Sequence, residues 1–279
     1  MFWEDKAANL QMLEQKIEGI TEKTEVVVLP EMFSTGFTMN PAPFAETMDG
    51  PTVAWMRRIA MKKGVIVTGS LIIASPPNSL SSQREGDENV TLSLPKGHIF
   101  YNRLIWMLPN GEFGYYDKRH LFAFAGENEH YAAGNKRLIA SVKGWKINLQ
   151  VCYDLRFPVW ARQSPPLSSG ERGPGGEVEY DILINVANWP QRRNHAWKTL
   201  LQARAIENQC YVVGVNRVGE DGNSIYHAGD SMVVDPLGEV LYHKENEEDV
   251  FTITLQKEVL DTVRNKFPFL RDGDGFGIF

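Results

Sequence analysis

Three side chains stand where short apolar stretches end, and their chemistries complement one another. They are Glu31 after Val26-Val27-Val28-Leu29-Pro30, Lys118 after Tyr115-Tyr116-Asp117, and Cys152 after Ile147 to Val151. Strand ends are where α/β folds collect reactive groups. A thiol, a carboxylate and an amine suffice to hydrolyse an amide through a covalent intermediate. Ionised cysteine is a strong nucleophile, glutamate takes its proton and later activates water, and lysine stabilises the developing oxyanion. Singly, each residue has a plainer explanation: a cysteine after a buried strand is ordinarily a small core residue, and a strand-end glutamate or lysine is ordinarily solvated. Cys210, inside Gln209-Cys210-Tyr211-Val212-Val213, reads as buried strand filler. The histidines at 98, 120, 130, 195, 227 and 243 show no tight ligand spacing and no CxxC pair exists, so a zinc site is not expected. His120, two residues past Lys118, offers an alternative activator of Cys152 in the manner of a Cys-His pair.

The elements that must position these groups follow from periodicity. Asp5 to Ile20 places Leu10, Leu13, Ile17 and Ile20 on one helical face, and Glu25 to Leu29 supplies a short buried strand through its continuously apolar Val26-Val27-Val28-Leu29. Pro51 to Lys63 is a helix with proline in its first turn and Gly64 at its stop, followed by a strand over Val65 to Ile73. Ile99 to Met107 and Gly114 to Asp117 form a hairpin about Pro109-Asn110-Gly111, and Leu138 to Val142 with Trp145 to Val151 form another about Lys143-Gly144. A short helical turn over Pro158 to Arg162 follows, then a strand at Asp181 to Ala187, a helix at His195 to Glu207 and a strand at Tyr211 to Asn216. Ser231 to Asp235 and Val240 to His243 make a hairpin about Pro236-Leu237-Gly238. A strand at Val250 to Leu255 and a helix near Lys257 to Arg264 end the pattern. Helices alternating with strands and interspersed hairpins predict one α/β domain, 1–279, with mixed sheets. Residues 75–96 and 163–178, rich in Ser, Pro, Gly, Asn and Glu, read as exposed loops.

Composition narrows the function classes. Charged residues are 23% of the chain and net charge is -6 without a basic block, which argues against nucleic acid and for a small-molecule partner. No apolar run nears the roughly 18 residues of a membrane span, and the first residues do not form a signal peptide. A cytoplasmic protein with free thiols is the expectation.

The local wording around the three residues carries a resemblance. Leu29-Pro30-Glu31-Met32-Phe33, then Asp117-Lys118-Arg119-His120-Leu121-Phe122, then Cys152-Tyr153-Asp154-Leu155-Arg156-Phe157-Pro158 resemble, in order, the Glu, Lys and Cys motifs of the nitrilase superfamily. The likeness extends through Asn185-Val186-Ala187-Asn188-Trp189-Pro190 and Ala203-Arg204-Ala205-Ile206-Glu207-Asn208. Within the superfamily the chain is most similar to bacterial-type omega-amidases, on Glu31 to Phe37, Tyr101-Asn102-Arg103, Gly229-Asp230-Ser231 and Phe267-Pro268-Phe269-Leu270.

The resemblance implies an αββα sandwich, a homodimer, and hydrolysis without metal or cofactor. It implies Cys152 as nucleophile, Glu31 as general base, Lys118 as oxyanion stabiliser and the Tyr153 backbone N–H as a further oxyanion donor. A second glutamate, seven positions before a glycine, matches Glu127 before Gly134, with Glu129 as the competitor. The implied substrates are 2-oxoglutaramate and 2-oxosuccinamate, whose far carboxylate calls for a cation such as Arg156, with Asn188 and Trp189 lining the pocket. Other amidases or carbamoyl hydrolases would share these catalytic residues. The superfamily ordinarily opens with a strand before the first helix, and this sequence opens at the helix, so that strand is expected to be absent and a sheet edge left unpaired.

Overall fold

The computed structural model describes residues 1–75, 98–163 and 180–274. The expected loops 75–96 and 163–178 therefore lie outside the described residues except at their first positions. There Ser75 ends a strand, and Gln163 is buried, its side-chain nitrogen donating to the Tyr180 and Asn208 carbonyls at 3.0 and 2.7 Å.

The described residues form two compact units, Met1–Lys136 and Arg137–Phe279. In the first, helix α1 (Lys6–Glu18) begins where the Asp5 side chain accepts from the Ala8 N–H at 2.9 Å, satisfying one otherwise unpaired donor. Among the described residues no strand comes before it. Helix α2 (Pro51–Lys63) ends at Gly64, whose left-handed φ of 67° lets its N–H reach the Ala60 carbonyl.

Strands β1 (Val26–Val28), β2 (Ile66–Ser75), β3 (Ile99–Met107) and β4 (Phe113–Asp117) form a mixed sheet in that order. β1 and β2 are parallel and the other pairs antiparallel. β1 lies at the sheet edge, and only Val27 of its three residues is buried, so the stretch is less enclosed than its apolar run suggested. The pleat sorts side chains between faces: Val67, Leu71, Ile105 and Met107 pack with Leu13 and Ile17 of α1 and Val53, Met56 and Ile59 of α2. Ser70, Ile72, Phe100 and Asn102 alternate with these residues and therefore share the opposite face.

The second unit holds a seven-stranded mixed sheet. Strands β5 (Ile139–Val142), β6 (Trp145–Val151), β7 (Ile182–Ala187) and β8 (Tyr211–Asn216) continue into β10 (Tyr226–Val234) and β11 (Val240–Glu245), with β9 (Val218–Glu220) paired to β10. β6, β7 and β8 run parallel, so their C-terminal ends share one edge. The short helices α3 (Glu127–His130) and α4 (Pro158–Ala161) lie in the first and second unit respectively. Helix α5 (Asn194–Asn208) packs on β8, where Gly214 makes room: a Cβ there would lie 2.5 Å from Leu201. Helix α6 (Lys257–Lys266) follows.

Val250 to Leu255 forms no strand, against the sequence expectation. Strand propensity needs a neighbour to pair with, and this segment is held by side chains instead. Phe251 stacks on Tyr242 at 4.0 Å, and the Tyr242 hydroxyl donates to Asp249 at 2.6 Å.

Candidate active site

In the first unit the chain turns sharply after β1. Met32 takes a positive φ of 43°, its N–H is held by the Ser70 hydroxyl at 2.9 Å, and Phe33 N–H bonds the Ser70 carbonyl at 3.1 Å. This turn leaves Glu31 fully buried. Lys118 follows β4, where its N–H bonds the Asn102 carbonyl at 3.0 Å, continuing the β3–β4 ladder by one residue. Glu127 opens α3 and is also fully buried.

These three side chains meet. Lys118 Nζ donates to Glu31 Oε1 at 3.0 Å and to Glu127 Oε1 and Oε2 at 3.1 and 2.9 Å. All three are completely enclosed, so the ammonium is held by geometry and charge rather than by solvent. Glu127 further accepts from the Phe122 N–H at 2.6 Å. Burial pushes the Glu127 carboxyl above the usual range, Lys118 pulls against that, and Glu31 adds to the rise. Glu129, the competing second glutamate, is exposed.

Gly134 explains the seven-residue spacing physically. Its N–H bonds the Lys118 carbonyl at 2.9 Å, and a Cβ there would lie 2.2 Å from the Asp117 carbonyl oxygen. Only a residue without a side chain lets the segment leaving α3 pass so close to the strand that presents Lys118.

Cys152 belongs to the second unit. It is the residue after β6 and the first of a tight 3-10 turn, Cys152–Arg156, at a positive φ of 47°. That conformation costs a residue with a Cβ about 1–2 kcal/mol, and such strain accumulates at functional positions. The turn is fastened on both sides: Asp154 Oδ2 accepts from the Val151 N–H at 3.0 Å, and Arg204 donates to the Leu155 carbonyl at 2.6 Å. Tyr153, next in the turn, packs edge-on against Phe157 at 5.1 Å. Cys210, by contrast, is fully buried and pushed above the usual thiol range, which leaves it inert near neutral pH.

Asn188 and Trp189 follow β7 and are both buried. Trp189 is fixed by Asn216, which accepts from its N–H at 2.7 Å and donates to its carbonyl at 2.9 Å. The Arg156 guanidinium lies over the Trp189 ring at 5.1 Å, and the indole N–H donates to the Arg193 carbonyl at 2.8 Å. Burial pushes the Arg193 guanidinium down, Arg192 and Arg156 act in the same sense, and Cys152 is near enough to oppose them. The second unit thus gathers thiol, aromatic wall and two guanidinium groups at one sheet edge.

Whole-chain comparison assigns the family. The carbon-nitrogen hydrolase model matches residues 1–265. This chain belongs to the carbon-nitrogen hydrolase family. The omega-amidase YafV of Yersinia enterocolitica is 39% identical over 281 residues, covering 99% of this chain and 94% of its own length. The 2-oxoglutaramate amidase of Bacillus subtilis is 29% identical, covering 95% of this chain and 90% of its own. The crystal structure of XC1258 from Xanthomonas campestris, a CN-hydrolase superfamily protein with an arsenic adduct in its active site, superposes with a TM-score of 0.86 at 43% identity, covering 100% of this chain and 96% of that one. The α/β fold with two mixed sheets is that of the nitrilase superfamily, and this carbon-nitrogen hydrolase is an amide-cleaving enzyme.

Two groups escaped sequence reasoning. Asn102 Nδ2 donates to Glu31 Oε1 at 2.8 Å and to Glu127 Oε1 at 3.2 Å, partners that are distant in sequence. Asp230, His243 and Glu245 bring their potential ligand atoms within 4.8 Å of one another, because Asp230 is an extra residue in β10 facing β11. Asp230 already accepts from His243, Lys198 and Asn194 at 2.8, 3.2 and 3.1 Å, and the lysine competes directly with any cation.

Proposed function

We propose that this carbon-nitrogen hydrolase is an omega-amidase, releasing ammonia from the terminal amide of 2-oxoglutaramate or 2-oxosuccinamate, and that residues 1–279 act as one catalytic domain. The observation that carries the reading is the enclosed ammonium of Lys118 between Glu31 and Glu127. A buried cation flanked by two carboxylates costs desolvation that a structural lysine at the surface avoids. The omega-amidase and 2-oxoglutaramate amidase names of its relatives support the substrate class.

In the proposed cycle Cys152 Sγ attacks the amide carbonyl carbon while its proton passes to Glu31. The carbonyl oxygen gathers negative charge, which Lys118 and the Tyr153 N–H stabilise. As the carbonyl re-forms, the carbon-nitrogen bond breaks and ammonia leaves with the proton from Glu31. Water then attacks the thioester, Glu31 takes its proton, and the carbon-sulfur bond breaks to give carboxylate and thiol. Glu127 holds Lys118 in place throughout. No step calls on a metal or cofactor. Arg156, steadied on Trp189, binds the far carboxylate of the substrate, with Arg193 reinforcing its field and Asn188 completing the wall.

No helix among the described residues is long and apolar enough to cross a membrane. We place the enzyme in the cytoplasm as a homodimer, for which exposed Ile206, Leu237 and Phe251 supply apolar surface. Ammonia release from 2-oxoglutaramate, glutamine and a carbamoyl amino acid, with mass spectrometry of the acylated protein, tests the function. Turnover of 2-oxoglutaramate with acyl mass on Cys152 is expected. Preference for the carbamoyl substrate overturns the omega-amidase reading, and lost turnover in His120→Ala with retained turnover in Glu31→Gln overturns the choice of base.

A further inference from the structure

We propose that Asn102 is a positioning residue of this active site: its side-chain nitrogen, set between Glu31 and Glu127, fixes the orientation in which the Glu31 carboxylate meets its reaction partners. The inference rests on the catalytic reading of Glu31 and adds a residue to it.

The geometry is specific to an amide. Nδ2 carries two hydrogens, and each is directed at a different carboxylate: Glu31 Oε1 at 2.8 Å and Glu127 Oε1 at 3.2 Å. Lys118 Nζ approaches the same two oxygens at 3.0 and 3.1 Å. Glu31 Oε1 is thus gripped by two donors, one from β3 and one from the residue after β4, and the carboxylate cannot exchange its oxygens by rotating without breaking both bonds. Lys118 supplies charge from the end of a four-carbon stem, and its ammonium is itself placed by the two glutamates. The short side chain of Asn102, rising from the middle of a sheet, supplies the direction.

Two further observations separate this role from simple packing. The Asn102 carbonyl accepts the Lys118 N–H at 3.0 Å, so one residue registers the backbone of the lysine and the side chains of both glutamates. Its own Oδ1, fully buried, has no hydrogen-bond partner among the described residues. A buried acceptor left unmade is a penalty that a leucine of similar size would not carry. The amide cannot flip to relieve it, because the flip would turn an oxygen towards two carboxylates. The fold retains the mismatch to keep a donor between them.

The test compares Asn102→Ala, Asn102→Asp and Glu31→Gln with the natural enzyme, using pH profiles of kcat and kcat/KM for 2-oxoglutaramate and melting curves for folding. Losing the donor releases the Glu31 carboxylate from its fixed orientation, so the pH profile of kcat/KM should change while the fold stays intact. We expect kcat to fall about ten- to a hundredfold with KM changed less than about threefold. Asn102→Asp keeps the shape of the side chain and replaces the donor with a third carboxyl, which alters the profile too; it carries the test if the alanine variant does not fold. Abolished turnover in Glu31→Gln, together with folded Asn102 variants whose pH profile and kcat match the natural enzyme, overturns this inference alone. Retained turnover in Glu31→Gln overturns the role of Glu31 and this inference with it.

Discussion

Lys118→Met puts the enclosed charge cluster to its most direct test. The substitution leaves the Glu31 and Glu127 carboxylates, both fully buried, without the ammonium they share. Removing one partner of a buried pair costs about 3–5 kcal/mol, against a total stability of about 5–15 kcal/mol for a folded protein. The variant should therefore fold, but marginally. Its loss should also depend on pH, because a carboxylate escapes the penalty by taking a proton. In the variant the Glu127 carboxyl, already raised in the folded state by burial, rises further because Lys118 no longer opposes that burial. Between its unfolded and folded values the folded state binds more protons than the unfolded state, and stability falls as pH rises. One carboxylate changes stability by at most about 1.4 kcal/mol per pH unit, so three units between pH 8 and pH 5 account for about 4 kcal/mol. That matches the size of the penalty, and protonation of a single carboxylate is enough to erase it. Urea unfolding followed by tryptophan fluorescence at pH 5, 6.5 and 8 should show a deficit of about 3–5 kcal/mol at pH 8 that shrinks towards zero at pH 5. A deficit that is equal at every pH, or below about 1 kcal/mol at pH 8, would refute the electrostatic account of the cluster.

Three other outcomes follow from the same geometry. Cys152→Gly and Cys152→Ala should both abolish turnover, and the glycine variant should melt higher, because it relieves the positive φ of 47° worth about 1 kcal/mol; equal melting temperatures would mean the turn is unstrained. Gly134→Ala should destabilise by at least about 1–3 kcal/mol and lower kcat, since its Cβ collides with the Asp117 carbonyl beside Lys118; a variant with natural kcat would show that the strand end gives way freely. His227, buried and held down to about 4 by its enclosure and by Arg217, makes the fold acid-sensitive. Its stabilising neutral form is complete above the unfolded value near 6.5 and is lost as pH falls towards 4, about 3 kcal/mol in all; urea midpoints of His227→Gln should be flatter over that range, and parallel curves would refute the assignment.

Elements that carry their own punctuation are legible in the amino-acid sequence. α2 begins at Pro51 and stops at Gly64, and Asn110-Gly111, Lys143-Gly144 and Pro236-Leu237-Gly238 mark hairpin reversals. Each of these signals is local: a fixed φ, a missing N–H, or a tolerated positive φ. Val250 to Leu255 misleads because an apolar, β-branched run states a capacity for pairing while the partner is a matter of tertiary structure. Buried Gln163 misleads for the complementary reason. A glutamine before a Pro- and Ser-rich stretch reads as loop, yet its amide matches the Tyr180 and Asn208 carbonyls, both distant in sequence.

The site divides along the same line. Glu31, Lys118 and Cys152 stand out in sequence together rather than singly: each follows a short strand, and the ordered wording around all three carries the resemblance. The choice of Glu127 over Glu129 needs more, since both are glutamates in one helical turn; what distinguishes them is that one is enclosed against Lys118 while the other faces out. In sequence Asn102 is only part of a resemblance, between a tyrosine and an arginine inside a strand. Its meaning lies in the register that sets residue 102 beside 118 on the face opposite α1 and α2. Alternation alone would have flagged it: Ile99 to Met107 is apolar apart from Asn102 and Arg103. Arg103 has its answer in Asp117 at 2.7 Å, whereas the buried asparagine finds its partners in two glutamates from outside the sheet. An uncharged polar residue at a core position of a central strand is therefore a signal of its own, and the structure is needed to say for whom it is kept.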